Sequence, residues 1–323
     1  MNPSKVQSLI FGELIVALLP ISVQAAPQSV SGLSLSVSPP KNEVTLNPGD
    51  SYSGSVHVVN PSTVASTVHP LVRDFTPSTD PSSSAPKFLE NITDNPSGLA
   101  TWVTFKDSSV TVPGSGNVEV PYTLTVPSTA GSGGHYGAIF VSTQNPDAKN
   151  AAQGVAISAR IGSLLLVTVS GDIKASGSIT SFTTDKTLYQ KGPVTLTVTL
   201  KNDGSIHYYP TGSITVTNRI TQNKQTVSFN KDHSAVLPGS SRTFKITLDN
   251  LGYGPLAISS DVEGVTPNGI HIPFTASATI WVLPLLYVGA FLIAFLLLLA
   301  LFRAWLIAHD RKVLSKPSST RKK

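Results

Sequence analysis

Three carboxylates, Asp74, Glu90 and Asp94, stand close enough in the chain to furnish the paired acid and base of glycoside chemistry. Their surroundings are rich in Pro, Ser and Asp, and a solvated surface position is the default for each. The histidines His57, His69, His135, His207, His233, His271 and His309 stand singly, with no second ligand at metal-binding spacing. No G-x-S-x-G, P-loop, G-x-G-x-x-G or H-E-x-x-H pattern occurs. Gly131-Ser132-Gly133-Gly134 leads into a strand pattern, so it lacks the helix N-terminus that a phosphate needs. His207, Tyr208 and Tyr209 form the one aromatic cluster that could stack on a sugar or peptide, although a Tyr packed over a sandwich end is commoner. Asn91-Ile92-Thr93 is a glycosylation sequon, and short sequons often arise by chance. The expectation is a protein that is not an enzyme and that carries no metal and no cofactor.

The elements that must carry these residues are strands. Leu33, Leu35 and Val37 alternate with Ser, and Val118, Val120, Tyr122, Leu124 and Val126 alternate with Glu, Pro and Thr. Val194, Leu196, Val198 and Leu200 repeat the pattern, as do Phe244, Ile246 and Leu248. Period-2 runs bury one face and wet the other. At least six such strands are expected between Leu33 and Val169, and six or seven between Ile179 and Thr279. The turns Asn47-Pro48-Gly49-Asp50, Val112-Pro113-Gly114-Ser115 and Leu237-Pro238-Gly239-Ser240 place Pro and Gly as a type II turn requires. Asn60 and Asn202 end two strands in similar contexts, a faint internal echo. The fold class is therefore all-β, two tandem immunoglobulin-like β-sandwiches with a C-terminal transmembrane helix. A long irregular insert, Thr76 to Ala100, interrupts the first domain, and loops of that length are functional or disordered. With no cysteine, both sandwiches must be held by burial alone.

The two ends are apolar. Lys5 and the run Phe11 to Val23, followed by Val23-Gln24-Ala25, read as a signal peptide cleaved between Ala25 and Ala26. Ile280 to Phe302 contains no charge and is long enough to cross a bilayer, with Trp281, Tyr287 and Trp305 as interfacial aromatics. Seven Lys or Arg and one Asp follow Phe302, whereas no Lys or Arg lies in the twenty residues before Ile280. The positive-inside rule then puts the tail in the cytoplasm and the sandwiches outside. The stretch from Ala26 to Phe302 is close to neutral despite the net charge of +5, so no nucleic-acid partner is expected. The expected parts are residues 1–25, signal peptide; 26–172 and 173–279, sandwiches; 280–302, span; and 303–323, tail.

Leu35 to Lys41 and Asn47 to Ser62, with Gly134 to Ser142 and Ala159 to Val169 further on, resemble landmarks of the WxL-interacting proteins of Gram-positive bacteria. Lys201 to Gly212 and Val236 to Arg242 are similar to the family's membrane-proximal part, and the order of parts matches over nearly the whole chain. The resemblance implies a surface protein whose first domain binds peptidoglycan and which partners a WxL-domain protein. It assigns no ligand-contacting residue. The expected function is accordingly a non-catalytic, membrane-anchored surface protein that binds cell-wall polymer, a partner surface protein, or both. The alternative is a chaperone-like accessory for exported proteins, in which a free sheet edge pairs with a client strand.

Overall fold

The computed structural model describes residues 35–83, 85–89, 95, 97–143 and 160–314. Ala25, Ala26, Glu90, Asn91 and Asp94 lie outside the described residues, as do residues 315–323 of the basic tail. The first sandwich is threaded by β1 (Ser36–Ser38), β2 (Lys41–Leu46), β3 (Ser51–Asn60), β4 (Ser66–Thr76), β5 (Lys87–Phe88), β6 (Val103–Phe105), β7 (Val110–Val112), β8 (Gly116–Thr125), β9 (Gly133–Ser142) and β10 (Arg160–Val169). The second comprises β11 (Gly177–Thr184), β12 (Leu188–Tyr189), β13 (Val194–Asn202), β14 (Tyr209–Asn218), β15 (Lys224–Ser228), β16 (Ser241–Leu248), β17 (Gly254–Val265), β18 (His271–Phe274) and β19 (Ser277–Val282). One helix, α1 (Leu285–Leu314), follows.

Both sandwiches follow one path. In the first, a sheet ordered β1-β3-β8-β6 packs on β2-β10-β9-β4-β5; in the second, β11-β13-β16 packs on β12-β19-β17-β14-β15. Each chain start lies antiparallel in one sheet, then crosses to run parallel beside the last strand of the other: β2 along β10, and β12 along β19. The period-2 faces expected from sequence meet between the sheets. Val56, Val58, Val120 and Leu124 pack with Leu165, Val167 and Val169; Leu196, Val198 and Leu200 pack with Ile214, Ile258 and Ile280. Full burial of each contributes about 1.5–3 kcal/mol, which is how cysteine-free domains of this size stand.

The internal echo is a shared turn lock. Asn60 and Asn202 are both buried. Asn60 Nδ2 donates to the carbonyls of Val64 and Val112, and its Oδ1 accepts from Ser62 N–H. Asn202 repeats each bond four residues on, two residues on and across to Val236. In both cases the cross-link reaches the Pro-Gly turn that feeds β8 or β16. Truncation of Asn202 to alanine orphans the Ile206 carbonyl and the Gly204 amide and leaves the Val236 carbonyl with Tyr208 N–H alone, so a loss of about 2 kcal/mol is expected in urea unfolding. A loss below about 0.5 kcal/mol would show that water replaces the lock.

The Pro-Gly turns are not alike. Gly49 and Gly239 have φ of +90° and +69°, as a type II turn needs. In the third turn the positive φ falls on Ser115 instead. There Gly114 is required by space, because a Cβ would stand 2.1 Å from the Thr63 carbonyl oxygen.

The expected span is corrected at its start. Ile280 and Val282 are fully buried in the second core, and Trp281 points outward between them, so the alternation of β19 runs through the first three residues of the uncharged segment. The helix begins after Pro284, whose carbonyl accepts from Val288 N–H. The apolar stretch long enough to cross a membrane is Leu285–Ile307, 23 residues with mean hydropathy 2.8 and none of it buried. At 1.5 Å per residue it is about 34 Å long. Tyr287 and Trp305 ride on this helix, while Trp281 sits on the strand before it.

The seam between the sandwiches and its cleft

His207, Tyr208 and Tyr209 do not form an exposed loop. Tyr208 is fully buried in the second core, its ring 5.5 Å from that of Phe274, and its hydroxyl donates to the Lys201 carbonyl. His207 is also fully buried, but in the seam against the first sandwich. The reason is the alternation of β2 and β9. On β2, Asn42 and Val44 turn toward their own domain, and Asn42 donates to the Tyr122 hydroxyl. Lys41 and Glu43 therefore face the other way, and so does Tyr136 on β9.

The result is one continuous hydrogen-bonded chain. Lys41 Nζ donates to Tyr209 Oη at 2.6 Å, and Tyr209 donates to Glu43 Oε2 at 2.9 Å. His207 Nε2 lies 2.7 Å from Glu43 Oε1, and its Nδ1 lies 3.0 Å from Tyr136 Oη. Tyr136 Oη also accepts from His207 N–H at 3.1 Å. With the imidazole proton on Nε2 every group has a partner: the ring donates to the carboxylate and accepts from the phenol. Burial alone would raise the Glu43 pKa. The hydrogen bond from His207, the charge of His207 when protonated, the Tyr209 hydroxyl and Lys41 outweigh it and bring the value down to about 2. Burial and the adjacent Glu43 push the Tyr209 phenol well above its usual range. A backbone bond clamps the same seam, Gly134 N–H to Ser205 O at 2.8 Å, and the Ser132 hydroxyl holds the domain connection at Asp172 O, also at 2.8 Å.

Both carboxylate oxygens of Glu43 are taken, so this chain of bonds is a clamp rather than an acid–base pair. Asp74 is likewise structural. It is buried, and one of its oxygens accepts from Leu99 and Ala100 N–H, both at 2.8 Å. Among the described residues no three His, Asp or Glu side chains converge as a metal site would require.

Beside the seam lies a cleft of about 250 Å³. Phe75, Leu164, Leu166 and Leu237 give it an apolar floor, and Lys41, Tyr209 and Arg242 stand at its polar side. The insert closes one flank. Its β5 puts Phe88 edge-on against Phe140, with centroids 4.9 Å apart, and Pro81 O accepts from Thr243 N–H of β16. The apolar face continues past the cleft over Tyr136, Ala138, Phe140 and Leu164. At its lip β10 is only half paired. Leu164 to Val169 run beside β2, and the Ser163 hydroxyl donates to Pro39 O, whereas Arg160 to Gly162 have β9 as their one strand partner among the described residues. Leu164 N–H points to the β2 side, to Pro40 O, so by alternation the amides of Gly162 and Arg160 point out along the same open edge.

Sequence reasoning missed Lys41, Glu43, Tyr136 and the open edge. Glu43 and His207 are 164 residues apart, and no local pattern marks the pair. One signal was present: the run Leu164-Leu165-Leu166 is apolar on both faces, which a strand needs only when both are covered.

No family model and no curated protein matches the chain. Solved structures of similar outline exist. The class 5 fimbriae chaperone CfaA shares 10% identity at a TM-score of 0.38, covering 76% of this chain and 98% of that one. The CsuC–CsuE chaperone–tip subunit pre-assembly complex of Acinetobacter baumannii gives 14% and 0.38, with 76% and 98% covered. The E. coli chaperone DraB gives 14% and 0.34, with 76% and 96% covered. Likeness at this level speaks to the sandwich architecture and no further. The WxL-interacting resemblance is left with that same coarse content, an immunoglobulin-like fold. The expectation of a cell-wall polymer ligand is corrected: of the aromatic cluster that would have met a sugar, His207 and Tyr208 are fully buried and Tyr209 is tied to Lys41 and Glu43.

Proposed function

We propose that this chain is a membrane-tethered, non-catalytic accessory that holds a segment of an exported surface protein by β-strand pairing. The observation that carries the reading is the half-edge of β10, Arg160 to Gly162, which has no second strand partner among the described residues and is set at the lip of an apolar face. A strand laid there gains main-chain hydrogen bonds from the outward amides, and its alternate side chains reach Phe140 and Leu164. The resemblance to WxL-interacting proteins makes a WxL-domain protein the first client to examine. The uncharged helix and the cations behind it support a topology with the sandwiches outside the membrane and the tail inside.

The test uses the full chain in its own membrane. A photo-crosslinking amino acid at Phe140 is expected to capture an exported protein, and Arg160→Pro, which deletes one outward donor, is expected to weaken that adduct about fivefold. The reading fails if the same probe at Thr226, on the edge strand β15, captures the protein equally well. It also fails if the adduct is indifferent to Arg160→Pro.

A further inference from the structure

We propose that the helix-side end of the second sandwich is a bilayer-docking surface that takes anionic phospholipid headgroups. The inference rests on α1 crossing a membrane. β19 ends at Val282 and α1 begins at Leu285, so at an extended span of about 3.5 Å per residue the sandwich end stands within roughly 10 Å of the helix start. The connection is also pinned: Trp281 and Leu283 N–H donate to Thr187 and Tyr189 carbonyls of the first edge.

That end collects the exposed apolar side chains of the domain. Ile220, Tyr253, Trp281 and Leu188 are 71%, 57%, 48% and 45% exposed. Leu188 and Trp281 are register partners, and Tyr253 precedes Gly254, which pairs with Val282. Ile220 Cδ1 comes within 3.4 Å of where a Cβ on Gly254 would stand, so all four lie at one end. The other large exposed apolar residue of this domain, Ile270, sits in the turn before β18 at the opposite end.

Two of these exposed tips, Ile220 and Tyr253, are tied down by hydrogen bonds. Asn218, buried beneath them, accepts from Ile220 and Thr221 N–H and donates to the Tyr253 carbonyl, fixing both loops with one side chain. Lys186 and Lys191 flank Leu188 in the hollow beside Leu285, and Arg219, next to Ile220, donates to Thr279 Oγ1; Asp185 shares that hollow, and its carboxylate already accepts from the Tyr189 hydroxyl. Apolar tips with cations beside them, fixed at the mouth of a spanning helix, match the headgroup zone of an anionic bilayer, where apolar groups enter and cations meet phosphate. The same set would be a solubility liability at the free end of a soluble domain.

The chain has no cysteine, so single labels are clean. An environment-sensitive fluorophore on Ile220→Cys, Tyr253→Cys, Ile270→Cys or Leu296→Cys would be followed in the full chain, reconstituted with phosphatidylcholine and phosphatidylglycerol carrying quencher-labelled lipid. We expect about threefold stronger quenching at positions 220 and 253 than at 270, falling toward the 270 level in phosphatidylcholine alone. Equal quenching at 220 and 270, with strong quenching at 296, overturns the docking surface while leaving the span intact. Absence of quenching at 296 overturns the span and the docking surface together. Quenching at 220 that ignores lipid charge overturns the headgroup assignment.

Discussion

Replacing Asp74 by alanine is expected to destabilise the first sandwich by about 3–5 kcal/mol, enough to unfold it or to split the unfolding transition in two. One buried oxygen of Asp74 accepts the amides of Leu99 and Ala100, which begin the short helical turn through Trp102. Its main-chain carbonyl accepts Leu89 N–H at the other side of the insert. Truncation orphans two buried amides at once, whereas Asp74→Asn retains the acceptor and gives up only the charge. The asparagine variant is therefore expected to lose about 1 kcal/mol. Urea unfolding of the full chain in detergent, followed by circular dichroism, measures both. If alanine and asparagine behave alike, the carboxylate does not hold the insert.

Glu43→Gln is expected to weaken the seam by about 3 kcal/mol at neutral pH, from a pKa drawn down from 4.5 to about 2 at about 1.4 kcal/mol per pH unit. The folded carboxyl ionises below its unfolded value, so the unfolded chain binds more protons in between. The stabilisation is fully present above about pH 4.5 and is lost as pH falls through about 2. The gap between parent and variant should close across that window, because the parent then carries a neutral acid as the variant carries a neutral amide. Unfolding midpoints collected from pH 7 to low pH test this. A gap that persists unchanged at the acid end would show that the carboxylate charge does not hold the seam. Glutamine can still accept from His207, so the variant isolates charge from shape.

Much of the fold was legible in residue order, for a local reason. Alternation such as Val194-Thr195-Leu196-Thr197-Val198 has meaning only on a pleated strand with one wet face, and each such run became a strand. The Asn60 and Asn202 echo was visible as letters, and its cause, a side chain closing its own turn, spans only four residues. The misplaced span start shows where locality fails. Ile280-Trp281-Val282 is as apolar as the helix after it, and only the partners on β17 and β12 make it a strand.

The site was not legible at all. His207, Tyr208 and Tyr209 announced themselves as a cluster, yet where each one points depends on a second domain arriving against β2 and β9. Residue types and spacing thus determined two sandwiches, an uncharged helix and a cationic end, because burial periodicity and hydropathy are properties of short windows. Tertiary structure alone decided that Glu43, His207 and Tyr136 form one clamp and that half of β10 has a single strand partner among the described residues. Those facts depend on which faces of distant strands meet, and a one-dimensional pattern carries no information about that.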